Sequence, residues 1–247
     1  MFDDCGRSTT PANILDLGPH RWMKKAGQYF GAGYTLATIY LGNQCYWSIC
    51  DRGIGLRANL KRAPNPTANR VGHSARLCSL WCSLPGRSSQ DLIFNGGAGL
   101  PSMILYAISR GGSFELISGA EHLAVKADGE LRISCLAGRF PGTLVCGSIP
   151  TDAGAPADGW AGSRSHPDIF RDLAFARATV DASLWGPDLT EASHGPHIRR
   201  DLAELGRISG GLVLDLGKVA RAAPALLRWA TDEAKATLVN APPTGRA

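Results

Sequence analysis

Two stretches in which apolar and polar residues alternate, Tyr34 to Leu41 and Cys45 to Cys50, flank Gly42-Asn43. Alternation with a period of two puts every second side chain on one sheet face, and a Gly-Asn step between such runs predicts a β-hairpin. Residues 56–95 carry Pro64, Pro66, Pro85 and several serines among scattered apolar positions, which predicts a long, partly helical loop. Leu100, Met103, Ile104, Ala107 and Ile108 then fall at the three-and-four spacing of one helix face, and Gly111-Gly112 supplies its C-cap. Phe114 to Ser118 and Thr143 to Ile149 predict two further strands with a charged, irregular excursion between them. Thr151 to Ser165, rich in Ala, Gly, Pro and Asp without periodicity, predicts a linker. Beyond it come a helix over His197 to Leu205, a short buried strand over Leu212 to Leu216, a helix over Ala222 to Lys235 and a strand over Thr237 to Asn240. No internal repeat is evident. The expected organisation is an α/β domain over residues 1–150, a linker over 151–165 and a smaller α/β domain over 166–247.

Bulk composition narrows the class. A chain of 247 residues with 44% hydrophobic and 19% charged residues is an ordinary soluble globular protein, long enough for a sizeable core. Met1-Phe2-Asp3-Asp4-Cys5 offers no basic region followed by an apolar run, so no secretory signal is expected. No stretch reaches the apolar length that crosses a bilayer. Seven cysteines without small-scaffold spacing imply reduced thiols and a cytoplasmic setting. The net charge of +5 is modest but unevenly placed: Arg52 to Gln90 holds seven Lys or Arg and no Asp or Glu. Such a segment favours an anionic partner, or is simply a solvated basic loop.

The turn Asp51-Arg52-Gly53-Ile54-Gly55 is the first with chemistry in it. An acid at a strand's end accepts a hydrogen bond from an exocyclic amine such as that of adenine. Gly53 and Gly55, lacking Cβ atoms, let the backbone turn sharply and approach a flat ring closely. A plain strand-to-helix turn explains the pentapeptide equally well. Gly53-Ile54-Gly55-Leu56-Arg57-Ala58 also fits the Rossmann G-x-G-x-x-A pattern, but no acid follows until Asp91, where that fold needs one about 20 residues on. Gly217-Lys218 fails as a P-loop, because Val219 stands where Ser or Thr must hold magnesium and Leu212 replaces the leading Gly. Asn95-Gly96-Gly97-Ala98-Gly99-Leu100 opens directly into the amphipathic helix, exposing backbone N–H groups at a helix N-terminus, where anions bind.

Taken in order, these blocks resemble a GHKL ATPase domain from about Asn13 to Pro150, the family of sensor histidine kinases, DNA gyrase B subunits, mismatch-repair ATPases and a large heat-shock chaperone. Asp51, Gly53 and Gly55 match the family's adenine-contacting Asp-x-Gly-x-Gly box, and Gly97, Gly99 and Leu100 match the Gly-x-Gly-Leu box under the phosphates. Gly111 to Ser118 match its Gly-Gly and strand, and Gly142 with Thr143 match the Gly-Thr box that closes the adenine site. The resemblance implies an α/β (α+β sandwich) fold: a mixed, largely antiparallel sheet with helices on one face, here carrying a small C-terminal α/β appendage. It also implies ATP and Mg²⁺ between helices and lid, with Asn13 as the metal-holding Asn, and Arg57 or Lys61 reaching the phosphates.

The chain departs from the family in two places. Hydrolysing members carry a Glu four residues before the metal-holding Asn, and Thr9 stands there, which cannot take a proton from water near pH 7. The family's first strand and helix are shortened or missing before Thr9. The expected function is therefore an ATP-binding regulatory switch or partner-directed kinase-like module. The alternative is a non-catalytic interaction module that has lost the nucleotide. Both call for a protein partner; a membrane is not expected, nor is nucleic acid, since no nucleic-acid motif accompanies the basic lid. His73, Cys78 and Cys82 lack a fourth ligand for zinc. Tyr46 and Trp47 are expected in the core, and His194 and His197 at a surface helix start. The strand ending in Asp215, followed by a helix, is similar to a STAS-like regulatory module.

Overall fold

A computed structural model of the chain describes residues 34–89, 97, 99–151, 173–190 and 194–241. The hairpin forms as its alternation dictates: β1 (Tyr34–Leu41) pairs antiparallel with β2 (Gln44–Asp51), and Gly42 takes φ +56° in the turn. Trp47 and Ile49 of β2 are buried, whereas Tyr46, on the opposite face, is exposed rather than in the core. Three short helices follow, α1 (Gly55–Lys61), α2 (Pro66–His73) and α3 (Cys78–Ser83). The start of α2 is well specified: Pro66 presets the first helical φ, and the Asn65 side chain accepts from the Thr67 and Ala68 N–H groups. Helix α4 (Gly99–Ser109) covers the expected residues and ends where Gly111 takes φ +67° and Gly112 N–H donates to the Ala107 carbonyl at 2.8 Å.

The largest departure from expectation comes next. Strands β3 (Ser113–Val125) and β4 (Glu130–Pro150) run on through the segment expected to be an irregular excursion. The ladder survives because Leu123 pairs with Ile133 and Val125 with Leu131, all buried, beyond an irregularity at Gly119. β4 then serves as a spine. Thr143–Pro150 pairs antiparallel with β2, and Glu130–Ile133 pairs parallel with β5 (Arg177–Asp181).

The C-terminal segment is α/β, as expected, but its strands extend the same sheet instead of building their own. β7 (Leu212–Asp215) lies parallel beside β5, and β9 (Ala236–Val239) parallel beside β7. The result is a seven-stranded mixed sheet, in which the long ladders are antiparallel. A turn of 3₁₀ helix (Ala182–Trp185), the two-residue pair β6 (Asp188–Leu189) and β8 (Arg221–Ala222), and helices α5 (Gly195–Ile208) and α6 (Pro224–Asp232) complete the described chain. One buried apolar cluster runs from Trp47 through Ile104, Val145 and Ile133 to Leu202 and Ala236. Apart from Thr151, the expected linker lies outside the described residues.

Candidate functional site

The last residue of β2, Asp51, faces Thr143 across the β2–β4 ladder. Its Oδ1 accepts the Gly53 N–H at 2.8 Å and the Thr143 N–H at 3.1 Å. No donor among the described residues reaches its Oδ2, which leaves that oxygen as an oriented acceptor. The glycines around it have packing reasons of their own. Gly55 takes φ +76°, and a Cβ there would lie 3.0 Å from Ser118 Oγ and 3.1 Å from the Gly142 carbonyl oxygen. Ser118 Oγ donates to that carbonyl at 2.9 Å and accepts the Leu56 N–H at 2.9 Å, so one hydroxyl ties three segments together.

Gly97, Gly99, Leu100 and Thr143 line one cleft of about 60 Å³. Gly97 is needed for packing, since with φ +61° its Cβ would fall 2.5 Å from Arg87 N. Gly99 is not: a Cβ there would meet nothing within 4 Å. Trp81 lines the same cleft, buried, and its indole N–H finds no acceptor among the described residues. Asn13, matched to the metal-holding position, and Thr9 lie outside the described residues.

Gly53, Gly55 and Gly142 line a different and larger cavity of about 720 Å³. The residues expected to form one site are thus divided between two spaces: Thr143 lines only the smaller, Leu56 lines both, and Asp51 lines neither. Lys61 lines the larger cavity only. Arg57, expected to reach phosphates, is engaged elsewhere: its guanidinium donates to the carbonyls of Ser74 and Arg76, both at 2.7 Å, and pairs with Glu121 at 3.1 Å.

Two carboxylates that sequence reasoning passed over organise this basic segment. Glu121 accepts, besides Arg57, the N–H groups of Cys78 and Ser79 and the Ser79 hydroxyl. It lay in the supposed excursion, where no pattern marked it. Asp201, fully buried on α5, pairs with Arg76 Nε at 2.7 Å and accepts from Leu77 N–H and Trp185 Nε1, each at 3.0 Å. Burial pushes its carboxyl up, while Arg76, Trp185 and the Leu77 N–H draw it back. A signal did exist for Asp201: it stands on the apolar face of Ile198, Leu202 and Leu205, where an acid requires a buried partner. Glu204, one turn on, pairs with both Arg76 and Arg87.

The remaining candidates are quiet. Burial, and next the Glu121 charge, push the Cys78 thiol up to about 12, so it stays protonated. None of the six cysteines among the described residues is in a disulfide, and no group of three metal-ligating side chains occurs among those residues. No helix among them is long and apolar enough to cross a membrane. No family model, curated protein or solved structure matches the chain.

Proposed function

We propose that the protein binds ATP at the corner between Asp51, Thr143 and the Gly97–Leu100 loop, and acts as a nucleotide-responsive switch or partner-directed kinase-like module. The observation that carries this reading is the Asp51 carboxylate: one oxygen is pinned by two backbone N–H groups, and the other is held ready to accept from an exocyclic amine. Two further features support it. The Cβ-free opening of α4 at Gly99 is not demanded by internal packing, and the Trp81 indole N–H lacks an acceptor beside it. Nucleotide-sized ligands occupy pockets of roughly 300 Å³ or more. Entry into a cleft of about 60 Å³ therefore requires the cleft to widen. Bound magnesium would neutralise phosphate charge; its expected holder, Asn13, lies outside the described residues, and no step is assigned to it.

Asp51→Asn tests the site. The Asn oxygen still accepts from Gly53 and Thr143, so the fold is retained, but the second position becomes a donor facing the adenine amine. Isothermal calorimetry should show ATP binding in the native protein and none in the variant at the same unfolding midpoint; equal affinity in both sinks the assignment.

The narrowness of the cleft favours one second reading, a non-catalytic interaction module that keeps the fold without the nucleotide. It predicts no rise in melting temperature with ATP and Mg²⁺ at any concentration, whereas saturating nucleotide raises it if the first reading holds.

A further inference from the structure

The cavity of about 720 Å³ is much larger than the cleft beside Gly99, and it is built from both halves of the chain. One wall is the Gly53–Lys61 segment, a second is the turn of β4 at Arg139–Gly142, and a third is the 3₁₀ turn ending in Trp185 and Gly186. Its floor is where the β3–β4 ladder loses register: Gly119 pairs with Phe140 and Glu121 with Cys135, so residues 136–139 bulge away opposite Ala120 alone. Irregularities of this kind re-aim side chains and recur beside binding sites. Here the bulged segment contributes Arg139 to the cavity lining, which Lys61 of α1 shares.

The charge of the lining is lopsided. Arg57, Lys61 and Arg139 face the single acid Glu121. That acid is already spent, because its two oxygens accept from Arg57, from two backbone N–H groups and from the Ser79 hydroxyl. Lys61 and Arg139 are exposed and have no acidic partner among the described residues. The other walls mix apolar side chains, Ile54, Phe140, Pro141 and Leu184, with the serines Ser79, Ser118 and Ser183. A concave space with apolar patches and unopposed cations in its lining matches an organic anion with a flat or aliphatic body, and its volume suits one of drug size.

We propose that this cavity is a binding site for a small apolar organic anion, separate from the corner at Asp51 and Thr143, with Lys61 and Arg139 gripping the anionic group and Phe140, Pro141 and Leu184 enclosing the body. Trp185, at the back of the cavity, bonds to Asp201 of α5, so the occupant rests against the contact between the two halves of the chain.

The full chain is titrated with 1-anilinonaphthalene-8-sulfonate, an apolar aryl anion, followed by fluorescence, and in parallel with uncharged N-phenyl-1-naphthylamine. Loss of charge-assisted contacts predicts that K61Q/R139Q weakens sulfonate binding at least about tenfold. The same change should leave the uncharged probe unaffected, and the unfolding midpoint should stay within about 2 °C because both side chains are exposed. ATP should not displace the sulfonate. Equal sulfonate affinity in the native protein and the double variant overturns the proposal. So does parallel weakening of the uncharged probe, which would indicate a collapsed cavity. Stoichiometric displacement by ATP also overturns it, by making the cavity part of the nucleotide site.

Discussion

A methyl group at Gly142 would sit 2.1 Å from the Asp51 carbonyl oxygen, and its φ of +96° is one that side chains resist. The residue therefore carries constraint twice, once through its backbone conformation and once through the close passage of β2. Gly142→Ala is expected to cost about 3 kcal/mol or more. It should also pull Thr143 N–H off the Asp51 carboxylate. Urea denaturation checks the first effect: a midpoint unchanged from the native protein would mean that the two strands can part without loss. At this scale the sequence was informative in an uneven way. Gly53, Gly55 and Gly142 stand out as a motif; Gly55 and Gly142 prove to be needed by local packing alone, whereas a Cβ at Gly53 would only touch the Asp51 carboxylate at 3.0 Å. A glycine motif and a tight turn look identical in one sequence, since both select the missing Cβ. Gly99 is the exception, its Cβ position being open.

Among the elements, the contact between α5 and the basic segment is the one whose loss should matter most. Asp201 is the shared acceptor for Arg76, the Leu77 N–H and the Trp185 indole, and the Arg76 side chain is only 6% exposed. Removing the carboxylate leaves the buried Arg76 Nε and two further donors unsatisfied, with Glu204 holding only the other end of the guanidinium. Asp201→Ala is accordingly expected to cost about 3–5 kcal/mol, a range in which single truncations of buried ion pairs fall. Calorimetric unfolding of the variant checks it, and a shift of only a degree or two would mean that the pair is wetter than its burial implies. The hairpin and α4 were legible because each obeys a single clean period with a proper stop, Gly42-Asn43 in one and Gly111-Gly112 in the other. The middle of β3 and β4 was not. Gly119 and Gly138 interrupt the alternation, and the ladder resumes out of phase, so that buried positions change from even to odd numbers along β3. No local pattern shows that two interrupted runs find each other again.

For the whole molecule, the decisive feature is that β4 belongs to both halves. Leu131 and Ile133 pair with β3 on one side and with Ala178 and Val180 of β5 on the other. The apolar cluster passes through them without a break. Sequence reading placed a boundary near residue 150 because Thr151 to Ser165 lacks periodicity, and composition there says nothing about which strand β5 will join. Parallel pairing joins segments far apart in sequence, and its partner is chosen by buried surface, not by a turn. If the shared strand sets the cooperative unit, a fragment ending at Thr151 bares the β5 side of Leu131 and Ile133 and strips Arg76 of Asp201 and Glu204. Such a fragment should show no cooperative melt, while the full chain unfolds in one transition, with tryptophan fluorescence and far-ultraviolet circular dichroism coincident. A fragment melting cooperatively within a few degrees of the full chain would separate the halves again. The Asp51–Thr143 contact would then stand without α5, and the Arg87–Glu204 pair would not be needed to hold Arg87 beside the cleft it lines.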